Sequence, residues 1–242
     1  MLKSLVSYDL AALREEVARA RARQDFSEGA YGHCISLPAA EDLSAEYRTH
    51  HNNVPFSGAL ADCPTMRGIF DSLETEKASF RLLRRAPGTA YGLHDDLDKG
   101  ADILRFQIPI LTNPDAFIVA QKEGVSLDGL AERVDEIRES GDLHFDFARF
   151  TRAFGRWFDL FSLAPGSMYR FDTDQLHTAI NAGDRERIVL GIDIVANDWV
   201  KDWIAREFAT PVQPTPADAL PDASWQWTSL QHGLITNPVR AA

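Results

Sequence analysis

Sulfur is scarce in this chain, with two cysteines and three methionines among 242 residues. Cys34 and Cys63 show no C-x-x-C spacing, which removes the usual zinc and dithiol patterns. Two separate buried thiols are expected rather than a disulfide. Basic residues are also few: 25 Lys and Arg stand against 36 Asp and Glu, for a net charge of −11. That balance argues against a nucleic-acid partner, whose phosphates call for a basic face, and against docking on anionic membranes. No apolar run approaches the roughly 20 residues of a membrane-spanning helix, so no membrane span is expected. The opening MLKSLVSYDLAALREE lacks the apolar segment and small-residue cleavage site of a secretion signal, which leads to the expectation of a cytoplasmic protein. G-x-G-x-x-G, the Walker loop and the G-x-S-x-G elbow are all missing, so three common catalytic frameworks have no foothold.

What is present is an ordinary globular composition, 45% hydrophobic and 25% charged, with many short β-patterned runs. ASFRLLRR from residue 78, ILRFQIPILT, AFIVAQ, WFDLFSL, SMYRFD and IVLGIDIVA read as strands, punctuated by Ala-Pro-Gly turns at Ala86–Gly88 and Ala164–Gly166. In the last run Ile188, Leu190, Ile192 and Ile194 alternate with period two. This predicts a mainly β fold with flanking helices, a double-stranded β-helix of the jelly-roll, cupin-like kind. Residues 1–242 are read as a single domain. Residues 1–77 form a helical and loop support, with helices over 8–24 and Met66–Leu73, and 78–196 form the core. Residues 123–156 carry Leu127, Leu130, Val134 and Ile137 on one stripe, then Phe145, Phe147, Phe150 and Phe154. They read as a helical insertion: a lid, a contact between subunits of a homo-oligomer, or a cover for one sheet face. The tail 197–242 opens with a helix and becomes Pro-rich, and Trp225 and Trp227 suggest that it packs back onto the domain.

His94-Asp95-Asp96 and the distant His177 are the informative motif. An H-x-D pair with a later His at a strand end is the ligand set of a 2-His-1-carboxylate site, which holds Fe(II) and leaves positions open for other ligands. Arg187, ten residues beyond His177, has the planar fork that grips a carboxylate, as in a 2-oxoglutarate co-substrate. The alternative for Arg187 is a surface pair with Asp184 or Glu186, and Arg185 is a nearby competitor.

With these residues in place the chain resembles the aspartyl/asparaginyl β-hydroxylase family of Fe(II)/2-oxoglutarate-dependent dioxygenases, which includes bacterial proline cis-hydroxylases. The resemblance spans roughly residues 78–196. It rests on FRLLRRAPGTAYGLHDD, RFQIPI, GSMYRFDTDQLH and NAGDRERIVLGIDI. It implies His94, Asp96 and His177 as metal ligands, with Fe(II) as cofactor, and Arg187 on the distal carboxylate of 2-oxoglutarate. The family's R-x-H motif, which helps hold the co-substrate, falls on Arg105-Phe106-Gln107, with Gln107 where the family has His. Phe171-Asp172 matches the pair before the second iron ligand. Asp96 completes a triad that the animal members lack, which tilts the resemblance toward the small-molecule branch. The expected activity is hydroxylation of an unactivated C–H bond in a free or carrier-bound amino acid or small derivative, with O2 as the other substrate. A peptidyl aspartyl/asparaginyl β-hydroxylase and a non-catalytic, cupin-like metal-binding or sensory domain are the alternatives.

Arg81 and Arg85 share one face of the first core strand while Arg84 points the other way. If that face lines the barrel, the pair is suited to a substrate carboxylate; otherwise it is a solvated edge. Asn181 is expected to hold the turn after His177. His50-His51 is a loop pair without a ligand-like partner, and His33, His144 and His232 stand alone.

Overall fold

The structure, a computed structural model, describes residues 1–29, 32–48, 54–96 and 102–227. The chain runs through β1 (Leu2–Ser7), α1 (Leu10–Arg23), the hairpin β2 (Ser27–Gly29) and β3 (Gly32–Ser36), α2 (Ala45–Arg48) and α3 (Pro64–Ser72). Next come β4 (Lys77–Arg85), β5 (Thr89–Ala90), β6 (Ile103–Leu111) and β7 (Ala116–Gln121), then α4 (Leu130–Ser140), β8 (His144–Asp146) and α5 (Phe147–Phe154). It ends with β9 (Phe158–Phe161), β10 (Ser167–Arg170), β11 (His177–Asn181), β12 (Arg187–Val195), α6 (Asp198–Glu207), β13 (Thr210–Pro211) and β14 (Ser224–Trp227). Among the described residues the larger sheet has the order β13-β1-β10-β6-β12-β4-β3-β2 and the smaller β8-β14-β5-β11-β7-β9. From β4 to β7, and again from β10 to β12, successive strands alternate between the sheets. That alternation makes the fold a cupin-like double-stranded β-helix.

Each central strand of the larger sheet has two unlike faces. Phe80, Leu82, Phe106, Ile108, Leu190, Ile192 and Ile194 point outward, where α1, α3 and α6 bury them with Leu13, Val17, Met66 and Val200. The opposite residues, Arg81, Leu83, Arg85, Arg105, Gln107, Arg187 and Val189, line a cavity. The aliphatic alternation of IVLGIDIVA therefore marks the helix-covered face, and its polar partners turn into the barrel. One side chain ties two of the covering helices together. Buried Glu16 on α1 accepts from the backbone N–H groups of Thr65 (2.6 Å) and Met66 (2.8 Å), capping the free N-terminus of α3.

The N-terminal region departs from the expected helices and loops, since β1, β2 and β3 all join the larger sheet. β1 has a single buried residue, Ser4, so it offers none of the apolar alternation by which a strand is read. Helix α1 starts one residue after Asp9, whose carboxylate caps Ala11 N and Ala12 N. Both Ala-Pro-Gly turns are present, with Gly88 at φ 63° and Gly166 at φ 79°, the left-handed conformation that glycine adopts freely. The thiols of Cys34 and Cys63 are free and buried.

The 123–156 segment is more than helical, because β8 lies between α4 and α5. Leu130, Val134 and Ile137 of α4 and Phe147, Phe150 and Phe154 of α5 are buried with Phe117, Val119, Leu160 and Ile180 of the smaller sheet. Within this chain the stripe covers a sheet face. Trp225 and Trp227 complete that layer as part of β14, each 1% exposed, in a sheet between β8 and β5. Trp225 meets Phe147 and Phe150 with ring centroids 4.8 and 6.1 Å away. Trp225→Ala should lower unfolding stability by about 3–5 kcal/mol in a denaturant titration, since a buried aromatic leaves a cavity that such a layer only partly refills.

Candidate metal and anion site

The site is built on a backbone pairing. His94 N donates to His177 O at 3.1 Å and His177 N to His94 O at 2.8 Å, an isolated antiparallel bridge between the segment after β5 and the start of β11. Asp96 N donates to Thr173 O at 2.8 Å and continues the pairing. In an extended segment residues i and i+2 share a face, so His94 and Asp96 turn together toward His177. Ligand atoms of His94, Asp96 and His177 all lie within 4.8 Å of one another, the one such cluster found among the described residues. His177 opens β11 rather than following a strand end as expected: the chain crosses between sheets over residues 171–176, and its pairing resumes only at the bridge.

The rings are held in one useful tautomer. His94 Nδ1 lies 2.9 Å from Gly92 O, and His177 Nδ1 lies 2.9 Å from Gln175 O. A carbonyl only accepts, so each Nδ1 carries a proton, and in the neutral ring Nε2 is the nitrogen that keeps its lone pair. The His177 pKa is driven down to about 3, first by burial and then by neighbouring His94, so this ring is neutral at physiological pH. Phe171 packs edge-on against it, centroids 5.3 Å apart, whereas Asp172 is exposed and accepts from Asp174 N. Two imidazole nitrogens and a carboxylate are a donor set that suits Fe(II).

Behind the triad lies a buried ionic network. Arg105 donates from Nη1 to Asp96 Oδ2 at 2.5 Å, and from Nε and Nη2 to the two oxygens of Asp193 at 2.6 and 2.8 Å. Arg81 Nη2 adds a contact to Asp193 at 3.4 Å. Arg105 thus links the candidate ligand Asp96 to a buried acid on β12. Asp193 was not singled out in the sequence, although a lone acid within an aliphatic strand run was the available signal. Gln107 faces the same cavity, and its buried Oε1 has no hydrogen-bond partner among the described residues.

Arg85 and Arg187 differ from Arg105. They face each other across the β4–β12 register, line the cavity that also reaches His94 and His177, and form no ion pair among the described residues. The surface acids that competed for Arg187 are engaged elsewhere: Glu186 binds Arg84 (2.8 Å) and Arg21 (2.6 Å), and exposed Arg185 lies 3.7 Å from Asp184. Burial, and then the neighbouring Arg85, push the Arg187 pKa down to about 10, leaving it a cation at neutral pH. Asn181 fixes this end of the site. Its Nδ2 reaches Arg85 O, Ala86 O and Arg185 O at 3.2, 3.2 and 2.8 Å. Arg84 borders the cavity, but its guanidinium binds Glu186 and lies over the Phe26 ring. His33 and His144 lie in β3 and β8, away from the triad, and His50, His51 and His232 fall outside the described residues.

No family model matches the chain, and no curated protein matches it significantly. Solved structures do. An oxidoreductase of the 2OG-Fe(II) oxygenase family from Burkholderia pseudomallei is 14% identical with a TM-score of 0.43, the match covering 78% of each chain. The carbocyclase SnoK of nogalamycin biosynthesis, a non-heme α-ketoglutarate-dependent protein, is 12% identical with a TM-score of 0.44, over 90% of this chain and 87% of that one. A cupin domain from Bordetella pertussis Tohama I is 16% identical with a TM-score of 0.30, over 52% of this chain and 88% of its own. The chemistry of the present chain rests on its own side chains.

Two outcomes follow from the network and the rings. Asp193→Asn should weaken Mn(II) binding, followed by calorimetry, about 10- to 100-fold by loosening the Arg105 bond that orients Asp96. Metal-free protein should lose stability as pH falls from about 6.5 toward 3, because the unfolded chain protonates His177 while the native state does not. The slope from this group is up to about 1.4 kcal/mol per pH unit, and urea titrations of the wild type and His177→Gln at pH 7.5 and 5.5 measure it.

Proposed function

We propose that this chain is an Fe(II)/2-oxoglutarate-dependent dioxygenase that hydroxylates an unactivated C–H bond in a free or carrier-bound amino acid or a small amino-acid derivative. The observation that carries the reading is one cavity lined by two candidate imidazole ligands and by the guanidinium of Arg187, unpaired among the described residues, with Asp96 closing the triad beside it. A metal-binding domain without a co-substrate has no use for an unpaired cation buried beside its ligands, since an uncompensated buried charge is destabilising. His94, Asp96 and His177 would hold the iron, and Arg187 the distal carboxylate of 2-oxoglutarate. When bound, iron, 2-oxoglutarate and O2 supply the oxidising chemistry, which converts the co-substrate to succinate and CO2 and delivers one oxygen atom to the substrate.

The protein's part is geometry and protonation state. Gly92 O and Gln175 O hold both rings with Nε2 directed at one point, and Arg105 orients Asp96. Phe171 and Tyr91, both buried, screen the imidazoles from water. The full triad and the resemblance to the proline cis-hydroxylases support the small-molecule branch over the peptidyl one.

With Fe(II), 2-oxoglutarate and a panel of amino acids, the purified chain should release succinate, and one product should gain the mass of one oxygen. His94→Ala should reduce succinate release at least about 100-fold, as expected when a metal ligand is removed. Arg187→Ala should raise the KM for 2-oxoglutarate by roughly 30-fold or more, the effect of removing one partner of a buried charge-assisted pair. Turnover that survives both substitutions overturns the site assignment.

A further inference from the structure

The cavity holds more positive charge than the proposed reaction consumes. Four guanidiniums, those of Arg81, Arg85, Arg105 and Arg187, face two carboxylates, Asp96 and Asp193, in a chain whose overall charge is −11. Arg105 and Arg81 are the two that meet these acids. A divalent metal and a doubly charged 2-oxoglutarate cancel each other, so their arrival leaves the excess unchanged. One carboxylate of the co-substrate suits Arg187, and Arg85 still lacks an anion.

Arg85 is placed for a ligand that exchanges with solvent. Arg187 is buried, while Arg85 is half-buried as a residue, with its Nε shut away and without a hydrogen-bond partner among the described residues. Its guanidinium lies over the Tyr91 ring, 5.0 Å from the centroid, and Tyr91 meets His94 edge-on with centroids 5.1 Å apart. One aromatic ring therefore separates Arg85 from a candidate metal ligand. Asn181 holds the carbonyls of Arg85 and Ala86, so the strand end that carries this cation is fixed. A planar fork stacked on a ring is pre-organised to take a carboxylate in two parallel bonds.

We infer that Arg85 is the receptor for a free carboxylate on the organic substrate, so the substrate class is small carboxylic acids rather than esters, amides or residues inside a peptide. The inference rests on the dioxygenase reading for the identity of the second ligand, and the test separates the two. The full chain with Mn(II) is titrated calorimetrically with 2-oxoglutarate and, separately, with each acid of the panel used for turnover. The chain with Fe(II), 2-oxoglutarate and O2 is then supplied with free amino acids and simple dicarboxylic acids, each beside its amide, and succinate is measured.

The wild type should respond to at least one acid about tenfold more than to its amide, the worth of one charge-assisted hydrogen-bond pair. Arg85→Gln should erase that preference while weakening 2-oxoglutarate far less than Arg187→Gln does, and Arg85→Lys should restore part of it. The inference is overturned if Arg85→Gln weakens 2-oxoglutarate as much as Arg187→Gln, which makes Arg85 part of the co-substrate clamp. It is also overturned if amides serve as well as acids, or if no acid in the panel binds or stimulates. Failure of the wild type to bind 2-oxoglutarate sinks the dioxygenase reading instead. Acid binding that is lost in Arg85→Gln would then still support the anion receptor.

Discussion

The larger sheet is apolar on the face that the helices cover and charged on the face that looks into the barrel, and most of the structure follows from that division. Burying Phe80, Phe106, Leu190 and Ile192 under α1, α3 and α6 supplies the hydrophobic stabilisation. The same strands can then turn arginines and an aspartate inward. A charge-bearing interior is tolerable only where charges pair or await a ligand. Asp193 and Asp96 pair with Arg105, Asp193 also meets Arg81, and Arg85 and Arg187 are the cavity cations that form no ion pair among the described residues.

The second sheet shows the complementary arrangement. It is thickened on its outer side by α4, α5 and the two tryptophans of β14, so a segment far along the chain completes the layer behind β5, β11 and β7. Its inner side carries His177, and the His94–His177 backbone bridge joins two chain segments that lie in different parts of the sequence. Backbone bonds to His177 and Thr173 tie down the connecting segment that carries His94 and Asp96, and the candidate ligand atoms lie within 4.8 Å of one another.

Much of this was legible from local pattern. β4, β6, β7, β9, β10, β12, the Pro-Gly turns, α1 and α3 follow from periodicity and turn chemistry acting within a few residues, whereas the short strands β5 and β11 were not singled out. β1 and the β2–β3 hairpin were not legible, because these short strands carry no apolar alternation. The β8 strand inside 123–156 was hidden for the same reason, being three residues long with a single buried side chain.

Of the site, spacing alone determined that His94 and Asp96 share a face, since residues two apart in an extended chain must do so, and that Arg81 and Arg85 do likewise. Residue chemistry determined that two imidazoles and a carboxylate form a plausible donor set. Tertiary structure decided the rest: that the Arg81–Arg85 face looks inward, that Arg105 is tied to Asp193 and Asp96, and that Glu186 and Asp184 are engaged away from Arg187. The reason is physical. An ion pair depends on which distant strands become neighbours and in what register, and neither is encoded in the few residues around an arginine.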